Sequence, residues 1–176
     1  MSPSTTPLHP NDSPGFLLWH ATLRWQRGIA QALAPLDVTH VQFVLLACTW
    51  WLNEQGAHPN QVAVAAQAGT DIKMTSQVLR SLERKGLIER AVDTADTRAR
   101  LLHVTRRGAA LAKRAIAIVE EVDARFFAEV PERETLRFLR RLVTLPAASG
   151  NGRSAVARSA TMAASETRRR AKGASK

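Results

Sequence analysis

Cysteine is nearly absent from this chain: Cys48 stands alone among 176 residues. One thiol excludes an internal disulfide framework and favours a reducing compartment. Long apolar runs are missing as well. The longest, FVLLACTWWL at 43–52, falls far short of the ~20 residues that span a bilayer. The opening stretch MSPSTTPLHPNDSPG has neither the basic nor the apolar region of a secretory signal. A soluble, cytoplasmic protein without a membrane partner is expected. Catalytic signatures are equally scarce: there is no Gly-rich phosphate loop, no nucleophile elbow and no paired acids near a histidine. No catalytic residue and no cofactor are expected, and the chain reads as a non-enzyme. His9, His20, His40, His58 and His103 show no paired spacing, so no metal site is expected either. Cys48 lies in an apolar helix without a neighbouring cation, which makes it an inert core thiol rather than a redox sensor.

Acidic residues are the scarcer sign of charge. Lys and Arg number 25 against 15 Asp and Glu, a formal charge of +10. Such an excess favours polyanionic partners, nucleic acid or an acidic membrane surface. It is unevenly spread. From Pro146 onward seven basic residues face one acid, Glu166, leaving 18 basic and 14 acidic residues, a net +4, before it. The folded part is mildly basic, so function there rests on where the charges sit. With 45% hydrophobic residues, the chain has enough apolar content for one domain with a real core.

Punctuation residues set out the elements. Residues 1–13, rich in Pro, Ser and Thr, read as a mobile arm. Ser13 and Pro14 suit an N-cap and first helical position, opening a helix over 16–33 that Pro35 ends. Thr39 and Gln42 form a capping box at the head of an apolar helix reaching about Glu54. Asn60 can cap a short third helix through Gln67, Gly69 supplies a turn, and Thr70 or Asp71 caps a fourth helix that Gly86 ends. LIERAV (87–92) and RLLHV (100–104) are strand-like. Thr105 can cap a long fifth helix to about Glu129, in which Leu111, Ala115, Ile118 and Val122 make a seam suited to another helix. Pro131 starts a sixth, with Leu136, Leu139 and Val143 on one side. The tail from 146 to 176 has no apolar period and is expected to be disordered.

Two short helices joined by a glycine turn and followed by a hairpin form a winged helix-turn-helix. The expected class is mainly α, about six helices plus a two-stranded β-hairpin wing. The outward stripe of the fourth helix carries Lys73, Thr75, Ser76, Gln77 and Arg80, with no acid until Glu83. Hydroxyls reach phosphates, Gln pairs with adenine, and Lys or Arg reads guanine. A plain solvated face is the alternative, although such faces usually mix Glu with Lys. The hairpin tip adds Arg98, suited to a narrow minor groove, with Asp96 placed to orient its guanidinium. Arg100 follows on the second strand.

These residues resemble the multiple antibiotic resistance regulator (MarR) family of winged-helix repressors over about residues 16–145. LDVTHVQFVLL is similar to the family's L-T-x-x-Q-[F/W]-x-x-L, and MTSQVLRSLERKGLIER to its recognition helix and first wing strand. DTRARLLHVTRRG is similar to the wing signature D-x-R-x-x-x-x-x-x-T-x-x-G, here Asp96, Arg98, Thr105 and Gly108. The chain departs from the pattern after Thr105, where Arg106 and Arg107 replace the usual acid and oppose the helix dipole. They would add phosphate contacts or simply be tolerated.

The resemblance implies a homodimer on double-stranded DNA. A DNA-binding lobe at about 37–105 would be joined by dimerisation helices at about 14–34 and 106–145, reading a palindromic operator with half-sites about one turn apart. It also implies a small-molecule inducer, often an aromatic acid or phenol, held between the dimer layer and the lobe. Trp19, His20, Arg24, His40, Trp50 and Trp51 have suitable chemistry. Against this stands a purely structural reading, with the tryptophans in the core and the histidines capping or on the surface. Two other functions stay open: a winged-helix module that binds protein, and a non-specific nucleic-acid binder led by the tail.

Overall fold

Side-chain caps, where the sequence puts them, divide the chain into its elements. The computed structural model describes residues 9–92 and 100–144. The expected wing-tip pair Asp96 and Arg98 and the basic tail lie outside the described residues. In order come α1 (Pro14–Leu33), α2 (His40–Glu54), α3 (Gln61–Ala68), α4 (Ile72–Arg84), β1 (Ile88–Val92), β2 (Arg100–Val104), α5 (Arg106–Phe126) and α6 (Glu132–Thr144). Single 3-10 turns at Pro10–Asp12 and Ala34–Leu36 flank α1. Ser13 caps α1, Asn60 caps α3, and Thr39 and Gln42 close their reciprocal box on α2. Of the two candidates for α4 it is Asp71 that caps, its carboxylate accepting the Met74 N–H at 2.8 Å.

The apolar helix α2 lies at the centre because its faces have too many hydrophobic residues for one neighbour to cover. It packs against α1, α3, α4, α5 and β2. Leu45 and Leu46 are completely buried there, among Ile29 and Leu33 of α1, Val64 of α3, Leu79 and Leu82 of α4, and Leu102 of β2. Full burial of one such side chain contributes about 1.5–3 kcal/mol. Among the described residues no single helix is long and apolar enough to cross a membrane.

The seam on α5 is partly displaced from its expected line. Ala115 and Val122 are buried as expected, but Ala112 and Val119 complete the stripe, while Leu111 and Ile118 are only half-covered. This stripe is taken up within the chain by α1 and α2. The helix also stops at Phe126, three residues before the expected Glu129. Helical spacing puts Ile72, Val78, Leu79 and Leu82 on roughly one side of α4; Leu79 and Leu82 face the core, but Ile72 is 51% exposed. The first turn of α4 projects beyond the body that its later turns pack on.

The strands pair antiparallel, Ile88 opposite Val104, Arg90 opposite Leu102 and Val92 opposite Arg100. The outer edge of β2 is extended by one connection, the Leu102 N–H donating to the Pro59 carbonyl at 2.8 Å. Where β1 begins and α5 starts, the backbones meet. A β-carbon on Gly108 would overlap the carbonyl oxygen of Leu87 and crowd the side chain of Val104. Only glycine lets α5 approach this closely, which explains the T-x-x-G spacing sterically.

Gly108→Ala is therefore expected to lower unfolding stability by about 2–3 kcal/mol through backbone overpacking, read as a drop in the urea midpoint. An unchanged midpoint would show that the joint has room to relax.

Candidate nucleic-acid interface

Helix α4 is gripped along its inner side and at its end, and this grip decides which residues it can present. Gln42, already half of the α2 capping box, donates from Nε2 to the Ser81 hydroxyl at 2.9 Å. Lys85 at the end of α4 binds both the carbonyl and the carboxylate of Asp37, the latter at 3.0 Å. Asp37 holds a left-handed backbone, φ 53°, and that turn aims its oxygens at α4. The Arg107 guanidinium donates to the Lys85 carbonyl at 3.3 Å. One of the two cations that oppose the α5 dipole thus satisfies an open carbonyl at the end of α4, where positive charge is favourable.

With its inner face held, α4 exposes Lys73, Gln77, Arg80 and Arg84, and half-exposes Ser76. Thr75 departs from expectation. It is fully buried, its hydroxyl bonded to the Asp71 carbonyl at 2.7 Å and lying 2.7 Å from the Thr70 hydroxyl. Position 75 turns inward because the stripe of Leu79 and Leu82, four and seven residues on, faces the core. Thr75 fixes the helix start and is removed from the outward stripe. Glu83, the acid on this helix, sits against Arg90 of β1 at 3.1 Å, so its charge is matched from the wing.

The wing has its own anchor, one that the sequence reading missed. Asn53 on α2 accepts the Val104 N–H at 2.9 Å, and its amide donates to the carbonyls of Leu102 and Ala57, both at 3.1 Å. One side chain thus supplies the pairing that a third strand would give β2. A lone Asn near a helix end has no sequence signature for this role. Arg100 is exposed at the start of β2, directly after residues 93–99 of the expected wing tip, which lie outside the described residues.

The six candidate ligand residues separate. Arg24 lines a cleft of about 490 Å³ with Arg125, Trp25, Phe126, Gln31 and Val122. His40 packs edge-on to Trp25, ring centres 5.1 Å apart. Trp19 and Trp51 are exposed, 60% and 53%, so they are not core residues. His20 is exposed too and pairs with Phe16 at 4.3 Å. Trp50 is half-buried beneath Lys113, whose ammonium is 5.8 Å from the ring centre. The residue that sequence reasoning missed is Trp25. Its indole N–H donates to Asp123 at 2.7 Å, joining α1 to α5 beside His40. A larger cleft of about 680 Å³, also bordered by Trp25, opens between α1, the end of α5 and α6.

Burial raises the pKa of the Cys48 thiol, the opposite of what an activated thiolate needs. The histidines are less scattered in space than in sequence. His58 and His103 bring their ring centres within 5.0 Å at the foot of the wing.

Comparison with known proteins places this geometry among others. Residues 35–122 match the family model described as the ArnR1-like winged-helix domain. The chain is 46% identical over 125 residues to the HTH-type transcriptional regulator YdcH of Bacillus subtilis, covering 71% of this chain and 85% of that protein. Its fold is similar to CouR from Rhodococcus jostii RHA1 bound to p-coumaroyl-CoA, with TM-score 0.70 and 26% identity over 82% of this chain and all of that one. It is also similar to MepR of S. aureus in complex with DNA, with TM-score 0.67 and 25% identity over 74% and 94% of the respective chains.

His40 gives this junction a pH dependence. Burial lowers its pKa below the ordinary 6.5, with the Asp123 charge partly opposing. The unfolded chain then takes up the proton more readily than the folded one, so stability falls as the pH drops below about 6.5. Urea midpoints at about pH 7.5 and 5.5 are expected to fall further for the native chain than for His40→Gln. Equal losses would show that His40 does not contribute.

Proposed function

The chain belongs to the multiple antibiotic resistance regulator (MarR) family of winged helix-turn-helix transcriptional regulators, and from that premise we propose that it is a homodimeric repressor, released from a palindromic operator by a small aromatic ligand. The observation that carries the DNA-reading part is the exposed row Lys73, Gln77, Arg80 and Arg84 on a helix whose acid is matched by Arg90. Lys73, Gln77 and Arg80, with Ser76, face base edges and nearby phosphates in the major groove. Arg100 and the wing-tip Arg98, oriented by Asp96, would follow the adjacent minor groove.

Two surfaces support pairing with a second copy. The start of α1 leaves Phe16, Leu17, Leu18 and Trp19 exposed, and α6 buries none of its residues, with Val143 82% exposed. Apolar side chains in such number on two helices call for a partner. A two-fold dimer of this layer carries two α4 helices to half-sites about one helical turn apart.

The cleft beside Trp25 suits the inducer. Arg24 and Arg125 can pair a carboxylate while Trp25 and Phe126 offer ring faces. Because α1 and α5 meet α2 here, a ligand that favours one packing of this junction shifts the spacing of the two α4 helices.

The test is fluorescence anisotropy on duplex from upstream of the chain's own gene, beside a scrambled duplex, at rising salt. Two chains per duplex and a clear preference for the upstream sequence are expected. Arg80→Ala should cost about 1–3 kcal/mol of that preference, while ending the chain at Pro146 leaves it in place. Binding that disappears with the tail alone would make the chain a non-specific binder; no binding to any DNA would favour a protein partner.

A further inference from the structure

The first turn of α4 violates two ordinary preferences of helix starts. Acidic residues are favoured there by the dipole, yet beyond the Asp71 cap the turn reads Ile72-Lys73-Met74 with no acid. A β-branched isoleucine gains little from an exposed helical position, yet Ile72 is 51% exposed and Met74 is 37% exposed. Both exposures result from the fold: Thr75, Leu79 and Leu82 take the inner face of α4, leaving the first turn to project. Successive helical residues are ~100° apart, so Ile72 and Met74 fan out on either side of Lys73.

The surroundings specify what these apolar groups face. They share the exposed part of α4 with Lys73, Gln77 and Arg80, a setting for a polyanion rather than an apolar protein surface. A recognition helix presents its N-terminal residues to base edges in the major groove. In unmodified DNA the one apolar group displayed there is the C5-methyl of thymine. We propose that Ile72 and Met74 read thymine methyl groups, making thymine at defined half-site positions a condition of tight binding. This rests on the DNA-reading function proposed above and names what that site recognises. Lys73 between them supplies a phosphate or guanine contact that holds the turn in the groove, and the unbranched thioether of Met74 adapts to whichever strand carries the methyl.

The test separates this inference from the function beneath it. The full chain is first used to select binding sites from a random pool of unmethylated synthetic duplexes. Each thymine of the recovered site is then replaced by deoxyuridine, which removes the methyl and leaves the base-pairing groups unchanged. Loss of one buried methyl is expected to weaken binding roughly fourfold at one or more half-site positions. Ile72→Ala and Met74→Ala, both at exposed positions, should bind the thymine duplex more weakly and lose the sensitivity to deoxyuridine at those same positions. Thermal unfolding checks that the variants remain folded, and Ile72→Val should keep part of the sensitivity if the alanine variant proves unstable. A recovered site that binds equally with deoxyuridine throughout, or variants that keep the full sensitivity, would overturn methyl reading and leave DNA recognition standing. Failure to recover any preferred sequence would overturn both.

Discussion

The structure depends on the joint at Leu87. There the end of α4, the start of β1 and the first turn of α5 come together on a few backbone atoms. The Leu87 carbonyl accepts the Thr105 N–H at 3.1 Å, and the Thr105 hydroxyl donates to the Gly86 carbonyl at 2.8 Å while accepting the Gly108 N–H at 3.0 Å. Gly108 leaves room for this approach, and Arg107 extends it to Lys85. Helix α4, the wing and the long helix α5 therefore share one anchor. A shift of α5 would be carried directly to α4, the helix proposed to read DNA.

This arrangement gives physical content to the proposed coupling between a bound ligand and α4. From the joint, α5 runs to Asp123, where the Trp25 indole ties it to α1 beside His40 of α2. Three helices thus meet beside the cleft proposed to hold a ligand, and one of them, α5, starts at the Leu87 joint. The coupling proposed here passes through a packed helix with fixed ends rather than through a loop, since close-packed elements respond as units.

Much of the fold was legible because its signals are local. Helix caps at Ser13, Thr39, Asn60 and Thr105 act within three residues of themselves, so their geometry follows from order alone. The boundaries of α1 and α2, the hairpin and the glycine stops appear where those signals put them. The candidate site was legible only in part. Lys73, Gln77 and Arg80 are exposed as the helical period predicted, but Thr75 is buried although it belongs to the same polar composition. A threonine can satisfy its hydroxyl on its own helix backbone, so composition does not tell which way it faces.

What the sequence by itself determined is the order of elements, the polar and cationic row on α4, and the family pattern that names the fold's use. The tertiary structure alone decided which partners the remaining side chains take. Asn53 completes the pairing of β2, Trp25 ties α1 to Asp123, Arg90 matches Glu83, and Ile72 is left outside the core. Of these contacts, the first two join residues 51 and 98 positions apart in the chain. No local period encodes such a distance. It is set when α2 becomes the common centre on which the other helices and the hairpin close.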